Sequence, residues 1–571
     1  LTRALFARLL WVLVPILAAG LFCRVYYTPD EPREASLAVA MAAQADHALP
    51  QLGGEVFAEK PPLLYWLSGA VVATMGPTPA ATRLPNLLYG LLTALSLAFI
   101  ARRAAGLTAG YVAGLVAVTA MQLYDVLIWL ATDAPLVAGV AVSLAGMYAS
   151  FTTEVPAARR RGYAVLALGL VLAFYAKGLA GWMVPGFAFL SVLVLERRWR
   201  DLLRPALWLV LPVVLVAIGG WVLWVLRRPD GAQALKVLFW YNLVGRAVTI
   251  DAPNQYAYTA GHLNAPGKYL LELPLYLFPW TVLGLAAFVR GLRHLRRPGA
   301  MGTAWRLAYG AIVPATILLS FAATARGVYY APPLLGFALM VGLEFGDSLR
   351  AAGAPARGVT FGLTRGLVAL LAIAVGGPAL VLALAPATRD PIHWLLASIA
   401  LIGLLAALYW ALRVQGGRDR VWRDLGASVG ATLVLCATPL WLCLNPLVSL
   451  ETTAMEIQTA AAGHPLGLLQ PDETTVAMSE LYLGHVRTVA PGVIPPGGEQ
   501  RYLWLVQDHY RWKAAQWLAL LGYRQHAVAV VSPPVTPPAA VPGASIEALI
   551  ERAGGRRYAI LVVAPTRVVV P

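Results

Sequence analysis

The chain has 571 residues, of which 59% are hydrophobic and only 13% charged, with a mean hydropathy of +0.68. Soluble domains carry about a quarter charged residues, so the composition excludes an ordinary soluble enzyme and predicts a polytopic membrane protein. The net charge of +16 comes largely from arginines that follow apolar stretches, a pattern of membrane orientation and anionic-lipid contact rather than nucleic-acid binding.

Stretches of about 17–25 apolar residues can span a bilayer. They are predicted at Leu9–Tyr27, Leu84–Ile100, Thr108–Leu123, Ala134–Ser150, Gly162–Ala176, Leu179–Leu195, Ala206–Leu226, Tyr269–Val289, Trp305–Ala323, Val328–Asp347, Phe361–Leu384, Ile392–Leu412 and Ala427–Leu447. The length rule thus predicts about thirteen helices. The opening stretch is too long and too uniformly apolar for a cleaved signal. Every even-numbered span leads into arginines: Arg102-Arg103, Arg159-Arg160-Arg161, Arg197 to Arg204, Arg290 to Arg297, Arg350 with Arg357, and Arg413 to Arg423. The positive-inside rule places those loops and the N-terminus in the cytoplasm, and an odd count places the C-terminus outside.

Residues 1–449 therefore form a membrane domain. Its first outer loop, residues 28–83, holds Tyr27-Thr28-Pro29-Asp30-Glu31-Pro32-Arg33-Glu34 at its start. Arg33–Gln44 and Pro61–Met75 read there as short helices on the membrane surface. A second outer loop, residues 227–268, carries Arg246, Asp251, Asn254, Tyr256, Tyr258, His262 and Asn264. Loops of that size are usually lids or binding loops. Residues 450–571 change character. β-branched runs at Tyr502–Val506, Ala527–Val531 and Tyr558–Val563 alternate with helical patterns and proline-rich turns. They predict a small α/β soluble domain on the outer face. The fold expected is an all-α polytopic membrane protein with this domain appended. The three cysteines, Cys23, Cys436 and Cys443, fall inside spans and form neither a disulfide framework nor a thiol metal site.

Charges at the ends of membrane helices are costly, and are expected where they line a polar cavity. Asp30 and Glu31 are adjacent, so one can face a cavity while the other anchors. Asp133 lies in another loop on the same side. Two such carboxylates suit acid–base work, cation stabilisation or metal binding, although Asp133 before Ala134-Pro135 also suits a helix N-cap. Glu59-Lys60-Pro61-Pro62 pairs an acid and a base; Lys60 can hold a phosphate as a point charge or simply bridge to the acid. Arg326 suits phosphate or carboxylate recognition, whereas Tyr329 and Tyr330 also fit an interfacial belt. Lys177 can pair with Asp133 or snorkel. Glu59 and His262 are the metal candidates, without ligand spacing to support them. No glycine-rich phosphate loop occurs, so no nucleotide is expected.

Together these segments resemble the lipid-phosphate-dependent glycosyltransferases of the GT-C class, and within it the 4-amino-4-deoxy-L-arabinose transferases that modify lipid A, relatives of protein O-mannosyltransferases. The resemblance is carried by Thr28-Pro29-Asp30-Glu31-Pro32-Arg33-Glu34, Phe57-Ala58-Glu59-Lys60-Pro61-Pro62-Leu63, Arg83-Leu84-Pro85-Asn86, Thr132-Asp133-Ala134-Pro135 and Ala176-Lys177-Gly178. It implies a GT-C architecture and a sugar donor carried on undecaprenyl phosphate. It also implies a lipid A phosphate as acceptor, and an active site on the periplasmic face of a bacterial inner membrane. A divalent metal near the site is implied as well, with Glu59 the nearest match. The family's acids map to Asp30 and Asp133, and its carrier-phosphate lysine to Lys60. Candidate catalytic residues are then Asp30, Asp133 and Glu31. Candidate substrate-binding residues are Lys60, Arg33, Arg246, Arg326, Tyr329, Tyr330 and Lys177.

The expected partners are the lipid-linked donor, lipid A and the bilayer; nothing in the sequence demands more than one copy of the chain. A related polyprenyl-phosphate sugar transferase, such as a protein O-mannosyltransferase, is the alternative within this chemistry. A transporter or flippase predicts inverted repeats and broken helices near the midplane, whereas the charges here gather at one face. A passive scaffold leaves the boundary carboxylates unexplained.

Overall fold

Within a bilayer no water satisfies backbone N–H and C=O groups, so long apolar stretches close their hydrogen bonds internally as helices. The computed structural model describes residues 2–248, 250–251, 264–350, 354–385, 390–414, 420–484, 488–489, 500–507, 544–551 and 556–563. Among the described residues, ten helices are long and apolar enough to cross a membrane, or up to twelve if two bent pairs each count as one span. This is fewer than the thirteen apolar stretches marked in the sequence, which include Gly162–Ala176 and Leu179–Leu195 as separate spans. These two merge in one helical run, Pro156–Leu195. A 3-10 segment, Gly178–Trp182, divides that run. Trp182 Nε1 donates back to the Leu170 carbonyl at 2.9 Å, and Arg198 Nη1 to the Phe151 carbonyl at 2.9 Å. The chain therefore doubles back at Lys177.

Two predicted spans are not continuous. Thr108–Leu123 is replaced by Leu107–Thr119 and Met121–Ile128, bent by 64°, and Tyr269–Val289 by Lys268–Tyr276 and Thr281–Arg296, bent by 118°. Pro279 lies in the second break and has no N–H to continue a helix. Helices form at both places where short ones are expected, Asp30–Ala43 and Leu63–Met75. The first begins before Arg33, because Pro32 falls in the first turn, where a missing N–H costs nothing.

The helices Asp133–Phe151 and Pro156–Lys177 pack backbone against backbone. A Cβ on Gly146 would overlap the Leu166 backbone, and one on Gly169 would overlap Ser143. Small residues permit this approach, which is a usual way for membrane helices to associate. It brings Asp133, at the start of one helix, beside Lys177, at the end of the other.

Glu31 is wholly buried, with 0% exposure, as is its partner Arg83. Its carboxylate accepts from Arg83 Nε at 2.9 Å and Nη2 at 2.7 Å, from the Leu130 N–H at 2.9 Å and from the Tyr27 N–H at 2.8 Å. Arg83 in turn donates to the carbonyls of Arg24 at 2.7 Å and Val25 at 2.8 Å. This clamp fastens the first-loop helix to the helix Pro79–Ala105 and to the Leu130 segment. Glu31 thus anchors the fold and is not among the residues that line the cavity described below, which replaces its expected role as a catalytic acid by a structural one.

Among the described residues, the C-terminal region forms a five-stranded mixed sheet in the order Thr488–Val489, Leu466–Leu469, Gln500–Gln507, Arg557–Val563, Ala544–Glu551. The first two junctions are parallel and the last two antiparallel. The predicted strands Tyr502–Val506 and Tyr558–Val563 lie within it, while Ala527–Val531 lies outside the described residues. The strand Ala544–Glu551 was not foreseen, since its alanines, glutamates and leucine are weak strand formers and its pairing partner decides the outcome. A short helix, Glu473–Met478, rests on the first-loop helix.

Breaking a buried ion pair by removing one charge costs about 3–5 kcal/mol. Glu31→Gln is therefore expected to lower the melting temperature of the purified chain far more than Asp30→Asn, read by thermal unfolding in detergent. Gly169→Val is expected to separate the two tightly packed helices at a cost of about 1–3 kcal/mol, and to reduce activity because Asp133 and Lys177 ride on their ends.

Candidate active site

The Asp30–Ala43 helix places Asp30, Arg33 and Glu34 three and four residues apart, hence on one face. The Glu31 clamp turns that face toward a cavity of about 600 Å³. Lys60 enters from the turn before Leu63–Met75. Asp133 and Lys177 come from the two tightly packed helices, Arg246 from the second long loop, and Arg326 with Tyr329 from the turn before Ala331–Arg350. The sequence-predicted residues Asp30, Asp133, Lys60, Arg33, Arg246, Arg326, Tyr329, Lys177 and Glu59 all line this one space. Tyr330 does not. It is buried beside it, with its hydroxyl 2.7 Å from the Thr316 hydroxyl and its ring stacked on Tyr269, so its expected contact with substrate is corrected to a packing role. His262 lies outside the described residues.

Charges in the cavity are paired. Asp30 Oδ2 accepts from Arg326 Nη2 at 2.6 Å, and Oδ1 from Arg33 Nη2 at 3.2 Å. Glu34 accepts from Lys60 Nζ at 2.7 Å, Arg33 Nη2 at 2.8 Å and the Tyr65 hydroxyl at 2.7 Å. Lys177 bonds directly to Asp133 and lies 4.8 Å from the centre of the Tyr329 ring. Asp133 is the first residue of its helix and does not cap it: the cap position is Thr132, without a side-chain bond. Arg246 Nη1 donates to the Tyr329 hydroxyl at 2.8 Å, and its Nη2 lies 3.7 Å from Glu59 Oε2. Asn242 bonds both to Arg246 and to the Glu59 carbonyl. Among the described residues the lining holds five cations, Arg33, Lys60, Lys177, Arg246 and Arg326, against four carboxylates, Asp30, Glu34, Glu59 and Asp133. That leaves a positive surplus. Leu136, Val140, Met183, Leu238, Phe239 and Leu318 make the rest of the wall apolar.

Burial opposes the ionisation of Asp30, but Arg33, Arg326 and Lys60 outweigh it and hold the carboxyl well below its ordinary range. Burial likewise works against the charge on Glu34, and Lys60 and Arg33 again prevail, aided by the Lys60 and Tyr65 hydrogen bonds. Both acids are therefore anions at neutral pH.

Glu34, Tyr65 and Asn242 are site residues that the sequence reading did not single out. Glu34 was findable, four residues after Asp30 on a helix. Asn242 sits on a π-helical turn, Val237–Val244, for which the sequence offers no sign. Among the described residues, no three His, Cys, Asp or Glu side chains gather into a metal-ligand set. The Glu59 carboxylate faces a guanidinium, whose charge repels a cation. The described residues thus do not fit the expected divalent ion.

A family model described as dolichyl-phosphate-mannose-protein mannosyltransferase matches residues 59–224. An undecaprenyl phosphate-alpha-4-amino-4-deoxy-L-arabinose arabinosyl transferase of Pseudomonas aeruginosa is 28% identical over 354 residues, covering 60% of this chain and 58% of that protein. One of the same name from Edwardsiella ictaluri is 26% identical over 492 residues, covering 82% and 80%. The chain spans less than two thirds of the length of the Pseudomonas aeruginosa relative. The crystal structure of ArnT from Cupriavidus metallidurans bound to undecaprenyl phosphate superposes with a TM-score of 0.69, at 18% identity over 98% of both chains. The same protein in its apo state gives 0.67 over 97% of both. Motifs, relatives and fold agree: the chain is similar in sequence to aminoarabinose transferases and has the fold of the Cupriavidus metallidurans protein.

Proposed function

We propose that the chain is an integral-membrane glycosyltransferase that moves 4-amino-4-deoxy-L-arabinose from undecaprenyl phosphate to a lipid A phosphate, at the periplasmic face of a bacterial inner membrane. Adding a cationic sugar to an anionic lipid weakens its attraction for cationic peptides, which accounts for resistance to polymyxin-like agents. The observation that carries the reading is the convergence of Lys60, Arg246 and Tyr329 on one cavity whose charged lining has a positive surplus and whose other lining is largely apolar. A phosphate with a long hydrocarbon tail needs both.

In this reading Lys60 and Arg246 neutralise the carrier phosphate as it leaves, an electrostatic role. An acceptor phosphate oxygen forms the new bond to the anomeric carbon. The bond from that carbon to the carrier phosphate breaks, and its electron pair departs with the carrier. Asp30 and Asp133 face the sugar and stabilise the positive charge that develops on it, together with its amine. A useful general base has a pKa near the working pH. The cations around Asp30 hold it far below that, so it is a poor base. This favours an acceptor that is already ionised, a phosphate, over the hydroxyl that a protein O-mannosyltransferase would use.

The topology proposed is thirteen crossings, counting the doubled-back Pro156–Leu195 run as two and each bent pair as one. The N-terminus is then cytoplasmic and the α/β domain periplasmic.

The test is transfer in proteoliposomes holding the lipid-linked aminoarabinose donor and lipid A. Asp30→Asn is expected to lower kcat by about 10²-fold while donor still binds; near-wild-type turnover would refute a role for Asp30. Because Asp30 and Glu34 have lowered pKa values, their pairing stabilises the fold fully above the ordinary carboxylate range and is lost only as pH falls below it. The acid limb of kcat is therefore expected near pH ~6, where a phosphate monoester dianion takes up a proton and becomes a monoanion, and a pH–rate profile checks it.

A further inference from the structure

Arg33 holds the site to the C-terminal domain. Its side chain is only 13% exposed, and its guanidinium meets three carboxylates. Nη2 serves Asp30 at 3.2 Å and Glu34 at 2.8 Å, both on its own helix. Nη1 donates to Glu473 Oε2 at 2.7 Å, and Glu473 opens the short helix of the α/β domain. The Phe57 ring packs beneath, 5.6 Å from the guanidinium carbon. The domain is fastened around this contact. Thr474 Oγ1 donates to the Pro29 carbonyl at 3.1 Å, and Glu480 accepts from the Gly53 N–H at 2.7 Å and from Ser36.

The Glu473 side chain is 49% exposed, and ion pairs with so much solvent contribute little stability. Its consequence is geometric. Arginine and a carboxylate prefer a two-bond, fork-to-fork pairing. With Nη1 held by Glu473, Arg33 gives Asp30 one bond through Nη2, while Arg326 occupies the other oxygen. Released from Glu473, the same fork can swing both of its terminal nitrogens onto Asp30 and withdraw that carboxylate from the sugar.

We propose that Glu473 is a positioning residue for the transfer, acting through Arg33 on Asp30, and that the α/β domain is thereby a working part of the active site. The proposal rests on the transferase reading above. A misplacement of about 1 Å in a catalytic group can cost up to about 10²-fold in rate.

Full-length chain in proteoliposomes, assayed in parallel with an aminoarabinosyl and a mannosyl polyprenyl-phosphate donor, provides the test. Glu473→Gln is expected to lower kcat about tenfold with the donor KM moving less than about twofold, and Glu473→Asp to recover most of the loss. Thr474→Val removes a docking bond without touching Arg33 and is expected to keep wild-type kcat. Wild-type kcat in Glu473→Gln overturns the proposal. So does an equal loss in Thr474→Val, which would make the contact a matter of docking alone. Turnover of only the mannosyl donor by wild-type chain would sink the sugar assignment, and the same variant comparison, made on that donor, would still decide the role of Glu473. No turnover of either donor overturns both readings.

Discussion

The buried pair of Glu31 and Arg83 is the constraint on which the site depends. Taking two ions out of water costs several kcal/mol for each, and only close geometry with further hydrogen bonds recovers it. Here the carboxylate has two bonds from the guanidinium and two from backbone N–H groups, and the guanidinium reaches two or more carbonyls besides. Such an arrangement does not tolerate rotation of the Asp30–Ala43 helix. Because neighbouring residues on a helix point in different directions, fixing Glu31 inward fixes Asp30, Arg33 and Glu34 toward the cavity.

The cavity then follows a consistent logic. Among the described residues, every carboxylate in its wall already has a cation, and the cations outnumber the carboxylates. The site is thus prepared for an additional anion before one arrives, which in the proposed transfer limits the reorganisation needed as negative charge develops on the leaving phosphate. Lys60 and Arg33 share Glu34, Arg326 and Arg33 share Asp30, and Asn242 ties Arg246 to the Glu59 turn. First loop, second loop and the turn before Ala331–Arg350 are thereby connected through charge, and the α/β domain joins them through Arg33.

Much of this was legible from the sequence. Asp133 and Lys177 could be paired because charge bias put both at the same side of adjacent spans. The first-loop helices could be drawn from their apolar periodicity and prolines. Other parts were not legible for physical reasons. Hydropathy counts residues along a line and does not register direction, so the bends at Ala120 and around Pro279 were invisible. A carboxylate at a helix start declares its cost but not its partner; Glu31 looked catalytic because Arg83 stands 52 positions away and reads as the flank of a span. Arg33 and Glu473 are 440 positions apart, and no local pattern could join them.

The most direct test of the account is mass spectrometry of lipid A from cells that lack their own aminoarabinose transferase and express this chain. The account predicts lipid A heavier by one aminopentose on a phosphate, and unmodified lipid A when Lys60 is replaced by alanine. Unmodified lipid A from well-expressed, membrane-inserted wild-type chain would contradict it.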